Sequence, residues 1–218
     1  MAESFITAFI IYFVVIDPIG NSPIFLALTS HLDRAKKTRI ALEGTLYASL
    51  IMLFFALCGR WILHYLNISD SAFTIAGGLI LFTVALEMLT SKRQARKQKA
   101  TEDPEGGDKQ AADNADSADG DNIAVFPLAI PLLAGPASIL SVMVVTADIE
   151  SNLQSYIASY GALIAVMVIT AMTLSFTVRI ERFIDERATM VFSRITAIIL
   201  AALSVQYVLN GLSDLGII

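Results

Sequence analysis

Apolar residues in this chain fall into six long blocks separated by polar or charged stretches: Ser4 to Ser30, Ile40 to Leu66, Ser71 to Ser91, Ile123 to Ala147, Tyr156 to Val178 and Met190 to Leu212. About 20 apolar helical residues cross a hydrocarbon core about 30 Å thick, so each block predicts one transmembrane helix. The expected fold class is an all-α integral membrane protein with six spans. Composition agrees, because 56% hydrophobic and only 16% charged residues leave too little charge to cover a soluble domain of 218 residues. No basic region or cleavage site marks a removable signal peptide, so the first helix is expected to stay.

The polar stretches carry the orientation. Arg34, Lys36, Lys37 and Arg39 follow the first block, Lys92, Arg93, Arg96, Lys97, Lys99 and Lys109 follow the third, and Arg179, Arg182, Arg187 and Arg194 flank the connection between the last two. These are 14 of the 15 basic residues, Arg60 being the exception. The positive-inside rule then puts both termini outside the cytoplasm. Residues 92–122 change from basic to acidic, Ala- and Gly-rich sequence and are expected to form a disordered cytoplasmic linker between segments 1–91 and 123–218. A solvated tether without a recognition role is the simpler reading of this composition, contact of its basic part with anionic headgroups the alternative.

The two segments resemble each other. Pro18 and Pro23 superpose on Pro131 and Pro136 at an offset of 113, Gly44 and Ala48 on Gly161 and Ala165 at 117, and Phe73-Thr74 on Phe192-Ser193 at 119. The glycine pairs are small-xxx-small patterns that let helices approach closely. Three helices are an odd number of crossings, so a second set of three enters from the opposite side. The expectation is two inverted three-helix repeats, an arrangement of secondary transporters; chance alignment of apolar sequence is the alternative.

Asp17-Pro18-Ile19-Gly20-Asn21-Ser22-Pro23 interrupts the first block with two prolines, a glycine and three polar side chains. Proline lacks an amide hydrogen and clashes with the carbonyl four residues earlier, so helix one should break here and restart at Pro23 with Ser22 as its N-cap. Pro127-Leu128-Ala129-Ile130-Pro131-Leu132-Leu133-Ala134-Gly135-Pro136-Ala137-Ser138 should break helix four, with Gly135 as cap and Pro136 as first helical residue. Unwound backbone at membrane depth is tolerated where it is buried in protein or lines a polar cavity. Counted from the basic loop and from Ile123, both breaks are expected about 12 Å from the cytoplasmic face. Free amides at two restarted helices suit a carboxylate, and unwound carbonyls suit an ammonium or a cation. A zwitterionic amino acid satisfies both, although a proline kink used only for packing explains either motif.

Asp17 is the one carboxylate well inside an apolar block, which makes it a functional candidate. Two roles are open to it: carrying a coupling proton, or capping the interrupted backbone as an ion. Glu87 is a second coupling candidate; it aligns with Gln206 but lies near the basic end of its helix, where pairing with Lys92 is an alternative. Arg39 and Glu43 should pair at i and i+4. Cys58, His31 and His64 supply neither a disulfide framework nor a zinc site, and neither a metal nor a cofactor is expected. Without a nucleotide loop, an HExxH motif or a Ser-His pairing, an enzyme is not expected either.

The strings from Ile16 to Phe25 and from Pro127 to Ile139 are similar to those of the MarC family of inner-membrane proteins, and the length, six helices and outside termini resemble it too. The resemblance implies grouping with LysE-type exporters, and a carrier of small neutral amino acids such as glycine or alanine. It would place substrate near Asp17, Asn21, Ser22, Gly135 and Ser138, and Gly20, Pro23 and Pro136 of the same two interruptions complete the expected substrate-binding set. The partners expected are therefore a small amino acid and the lipid bilayer, with no nucleic acid and a homo-oligomer left open. An exporter of another small or toxic compound, and a non-transporting scaffold, are the alternatives.

Overall fold

The computed structural model describes residues 2–90, 124–147, 153–180 and 186–217. The expected linker at 92–122 lies outside them, as do Lys92 and Arg182. The described chain is helical throughout, with no strand. Its elements are α1 (Ala2–Ile16), α2 (Pro18–Leu28), α3 (Arg34–Tyr65), α4 (Asp70–Leu89), a π-helical segment (Ala124–Leu133), α5 (Pro136–Ala147), α6 (Leu153–Thr177) and α7 (Glu186–Asp214). Among the described residues, five stretches are long and apolar enough to cross a membrane: α1 with α2 as Ala2–Leu28, then α3, α4, α6 and the Thr189–Asp214 part of α7. The fourth block is instead composite. Its α5 is a shorter apolar helix, and the Pro127- and Pro131-containing stretch before it winds as a π-helix closed by Ala134 N–H on the Ala129 carbonyl.

The outer surface is what lipid requires. Leu42, Leu46, Leu50, Phe54, Leu57, Trp61 and Tyr65 recur every three or four residues along α3 and are all exposed, Trp61 to 70%. At 32 residues, α3 is about 48 Å long and overhangs the hydrocarbon core, its first turns carrying Arg34, Lys36, Lys37 and Arg39. Arg39 pairs with Glu43 at 2.7 Å, as their spacing predicts.

Inside, small residues bring helices together. The most extensive contact is α4 against α7. There a Cβ on Gly78 would stand 2.7 Å from the Ser204 carbonyl, and one on Gly211 2.9 Å from the Ser71 carbonyl. The remaining contacts are reciprocal: α1 lies on α6, while the π-helical segment and α5 lie on α3. Gly44 makes the second of these possible, since a Cβ there would overlap the Leu128 side chain. Gly161, its sequence counterpart, approaches only the edge of the Phe5 ring, at 3.8 Å, so the close approach expected at both glycines is found at one.

At the end away from the α3 basic turns, Arg60 bridges three helices. It reaches Asp70 at the start of α4 at 3.4 Å and the Tyr156 hydroxyl of α6 at 2.5 Å. The exception to the charge asymmetry is thus a paired residue.

Candidate functional site

Between α1 and α2 one residue leaves the helical region. Asp17 has φ 52° and ψ 64°, the left-handed conformation that is unusual for a residue with a Cβ. The ladder closes around it, with Asp17 N–H on the Phe13 carbonyl and Asn21 N–H on the Asp17 carbonyl, both 3.0 Å. Pro18, the first residue of α2, needs no donor there. The carboxylate caps the new helix by accepting Gly20 N–H at 3.0 Å.

This corrects the expected cap. Ser22 does not start a helix at Pro23; Asp17 starts one at Pro18, and Pro23 sits half-buried inside α2. The physical reason is that the Asp17 carboxylate reaches a free amide three residues on, whereas Ser22 returns its hydroxyl proton to the Pro18 carbonyl at 3.0 Å. The interruption thus moves six residues toward the N-terminus, from Pro23 to Asp17, about 9 Å along the helix axis.

Around Asp17 the structure gathers polar groups from three elements. Asn21 donates through Nδ2 to the Ile16 carbonyl at 2.6 Å, Thr177 at the end of α6 donates to Ser22 Oγ at 3.2 Å, and Ser193 of α7 donates to Asp17 Oδ2 at 3.3 Å. All are buried, Asp17 to 6% exposure. An ionised carboxylate offers about four lone-pair sites, and those of Asp17 meet one amide and one hydroxyl. Among the described residues no Lys, Arg or His side chain pairs with it. A buried carboxylate without a cationic partner is costly unless a proton, a cation or a cationic ligand neutralises it.

The other expected site residues stand on a neighbouring element. Gly135 precedes α5 and its carbonyl accepts Ile139 N–H at 3.0 Å; Pro136, exposed, is the first helical residue, as expected. Ser138 is buried, and its carbonyl accepts the Ser141 hydroxyl. These residues belong to a segment that reaches the first helix, α1 packing on α5 and α2 touching the π-helical segment, but the described bonds of Asp17 go to Gly20 and Ser193. Glu87 lies half-buried in the last turn of α4. No group of three His, Cys, Asp or Glu side chains converges among the described residues.

Thr177 and Ser193 were not legible as site residues, although Ser193 aligns in sequence with Thr74 at the offset of 119. Another missed contact is the buried bond between the Tyr12 and Ser159 hydroxyls at 2.9 Å, which ties α1 to α6. A groove of about 340 Å³ between α3 and α6 offers no competing polar site: its lining is apolar except for Thr45 and Ser49, whose hydroxyls are spent on the Ala41 and Thr45 carbonyls.

Comparison with known proteins agrees with the sequence resemblance. The family model described as MarC family integral membrane protein matches residues 2–215. The chain belongs to the MarC family. Among its MarC-like relatives, a UPF0056 membrane protein of Methanocaldococcus jannaschii is 33% identical over 211 residues, covering 97% of this chain and 87% of the relative. One of Archaeoglobus fulgidus is 33% identical over 96% of this chain and 92% of its own length. The YvbG protein of Bacillus subtilis is 31% identical over 99% and 97%. No solved structure matches.

Proposed function

We propose that this MarC family protein is a secondary carrier, not an enzyme, for small neutral amino acids of the glycine and alanine kind, working by alternating access about the Asp17 segment. The observation that carries this reading is the carboxylate of Asp17, buried in a left-handed interruption of an apolar span and without a cationic partner among the described residues. The missing positive charge is supplied by the cargo's ammonium group or by a coupling proton. Glu87 is the second coupling candidate. The start of α5 at Pro136 presents amide hydrogens suited to the cargo's carboxylate.

The reciprocal packing supports the inverted-repeat part of the reading. Helix one of each half meets helix two of the other, and the third helices meet each other, as an in-plane two-fold axis would require. The charge asymmetry supports termini outside the cytoplasm of the inner membrane. Reconstitution of the full chain into liposomes tests the function. Labelled glycine or alanine should exchange across the membrane, and absence of exchange by verified folded protein would sink the reading.

A further inference from the structure

Ser193 lies in the half of the chain that lacks the Asp17 motif, yet its hydroxyl is the side-chain donor that Asp17 receives. Several other buried hydroxyls stay within their own helix, and those that cross between elements, Thr177 to Ser22 and Tyr12 with Ser159, meet another hydroxyl and not a carboxylate. Thr29, Thr45 and Thr170 return their protons to the carbonyl four residues earlier, the usual way a helix within a membrane satisfies them. Ser193, 6% exposed, directs its proton at a carboxylate on another element.

Gly20 completes the arrangement. A Cβ there would stand 2.6 Å from Ser193 Oγ and overlap Asp17 Oδ2. The missing side chain is therefore what lets hydroxyl, carboxylate and the first turn of α2 close on one another. The two halves are also unequal here. The offset of 119 sets Ser193 against Thr74, itself 3% exposed, but the offset of 113 sets Asp17 against Ile130. The second half repeats the hydroxyl without the carboxylate, so the pairing occurs once per chain.

We infer that Ser193 is a positioning residue for Asp17. It fixes the orientation of the carboxylate that neutralises the positive charge of cargo or coupling proton. Because Ser193 is carried on α7, any displacement of α7 relative to α1 and α2 releases that hold. The kinetic consequence rests on the transport reading above; the hydrogen bond itself does not.

The full-length protein is reconstituted into vesicles of phosphatidylethanolamine and phosphatidylglycerol, and exchange of labelled glycine is measured for wild type, Ser193→Ala and Ser193→Thr. Loss of a hydrogen bond to a charged group predicts a KM about tenfold higher for Ser193→Ala. Maximal exchange should stay within about twofold, and Ser193→Thr, which keeps the hydroxyl, should restore KM. Unchanged KM in Ser193→Ala, or equal impairment in both variants, overturns the inference. If wild type exchanges nothing, the transport reading fails and infrared spectroscopy decides the positioning role alone. The Asp17 carboxyl band, identified by its loss in Asp17→Asn, should shift in Ser193→Ala, and an unshifted band overturns the inference.

Discussion

The hydroxyls of Tyr12 and Ser159 meet at 2.9 Å in the buried contact between α1 and α6, joining residues 147 positions apart. Interhelical hydrogen bonds in membranes contribute about 0.6 kcal/mol on average and up to about 1.7 kcal/mol. Tyr12→Phe should therefore lower unfolding free energy in mixed micelles by that amount and no more. A loss above about 3 kcal/mol would mean that the phenol supports more than this one bond.

Two glycines predict opposite outcomes for the same substitution. Gly78→Ala drives a methyl to 2.7 Å from the Ser204 backbone, which cannot move without separating α4 from α7, and overpacking of that kind costs about 1–3 kcal/mol. Gly161→Ala meets only Phe5 at 3.8 Å, so it should be neutral or stabilising by up to about 1 kcal/mol through helix propensity. Melting temperatures of the purified variants in detergent separate the two, and a more stable Gly78→Ala would contradict the packing described.

Orientation is open to a direct chemical measurement. In a Cys58→Ser background, Leu66→Cys lies at the turn between α3 and α4, beside the end carrying Arg60 and Asp70. His31→Cys lies at the opposite end, before the basic turns of α3. A thiol reagent that does not cross membranes should label the first in intact cells and the second only after permeabilisation. The reverse pattern would invert the proposed topology.

Much of the fold could be read from the chain because lipid imposes a simple rule on long apolar blocks. The spans at α3, α4, α6 and α7 fall within a few residues of the blocks that predict them, and Asp17-Pro18 was visible as an interruption by its composition alone. The location of the cap was not. Ser22 before Pro23 and Asp17 before Pro18 are equally good cap-proline pairs in sequence, and only the carboxylate's reach to Gly20 N–H distinguishes them. The fourth block hid a π-helical segment, since hydrophobicity does not record how a backbone winds. Thr177 and Ser193 were unreadable for a different reason: they reach the site from 155 and 176 residues away, through helix packing that no local pattern encodes.

Gly20→Ala should damage the site while sparing the fold. The nearest atoms the added methyl meets are side-chain ends, the Asp17 carboxylate and the Ser193 hydroxyl of α7, and not backbone as at Gly78. Exchange should fall at least about tenfold, the effect of a misplaced charged group. Melting temperature should stay close to wild type. Full exchange by Gly20→Ala would show that the carboxylate need not hold this position.

The central claim is that Asp17 supplies the charge that binds cargo or its coupling proton. Asp17→Asn keeps the side chain's size and an oxygen able to cap Gly20, and removes only the charge. In liposomes with an imposed proton gradient, wild type should accumulate labelled glycine and Asp17→Asn should not. If Asp17 carries the proton, exchange without a gradient survives in Asp17→Asn; if it holds the ammonium, exchange is lost as well. Accumulation by Asp17→Asn equal to that of wild type would contradict the account.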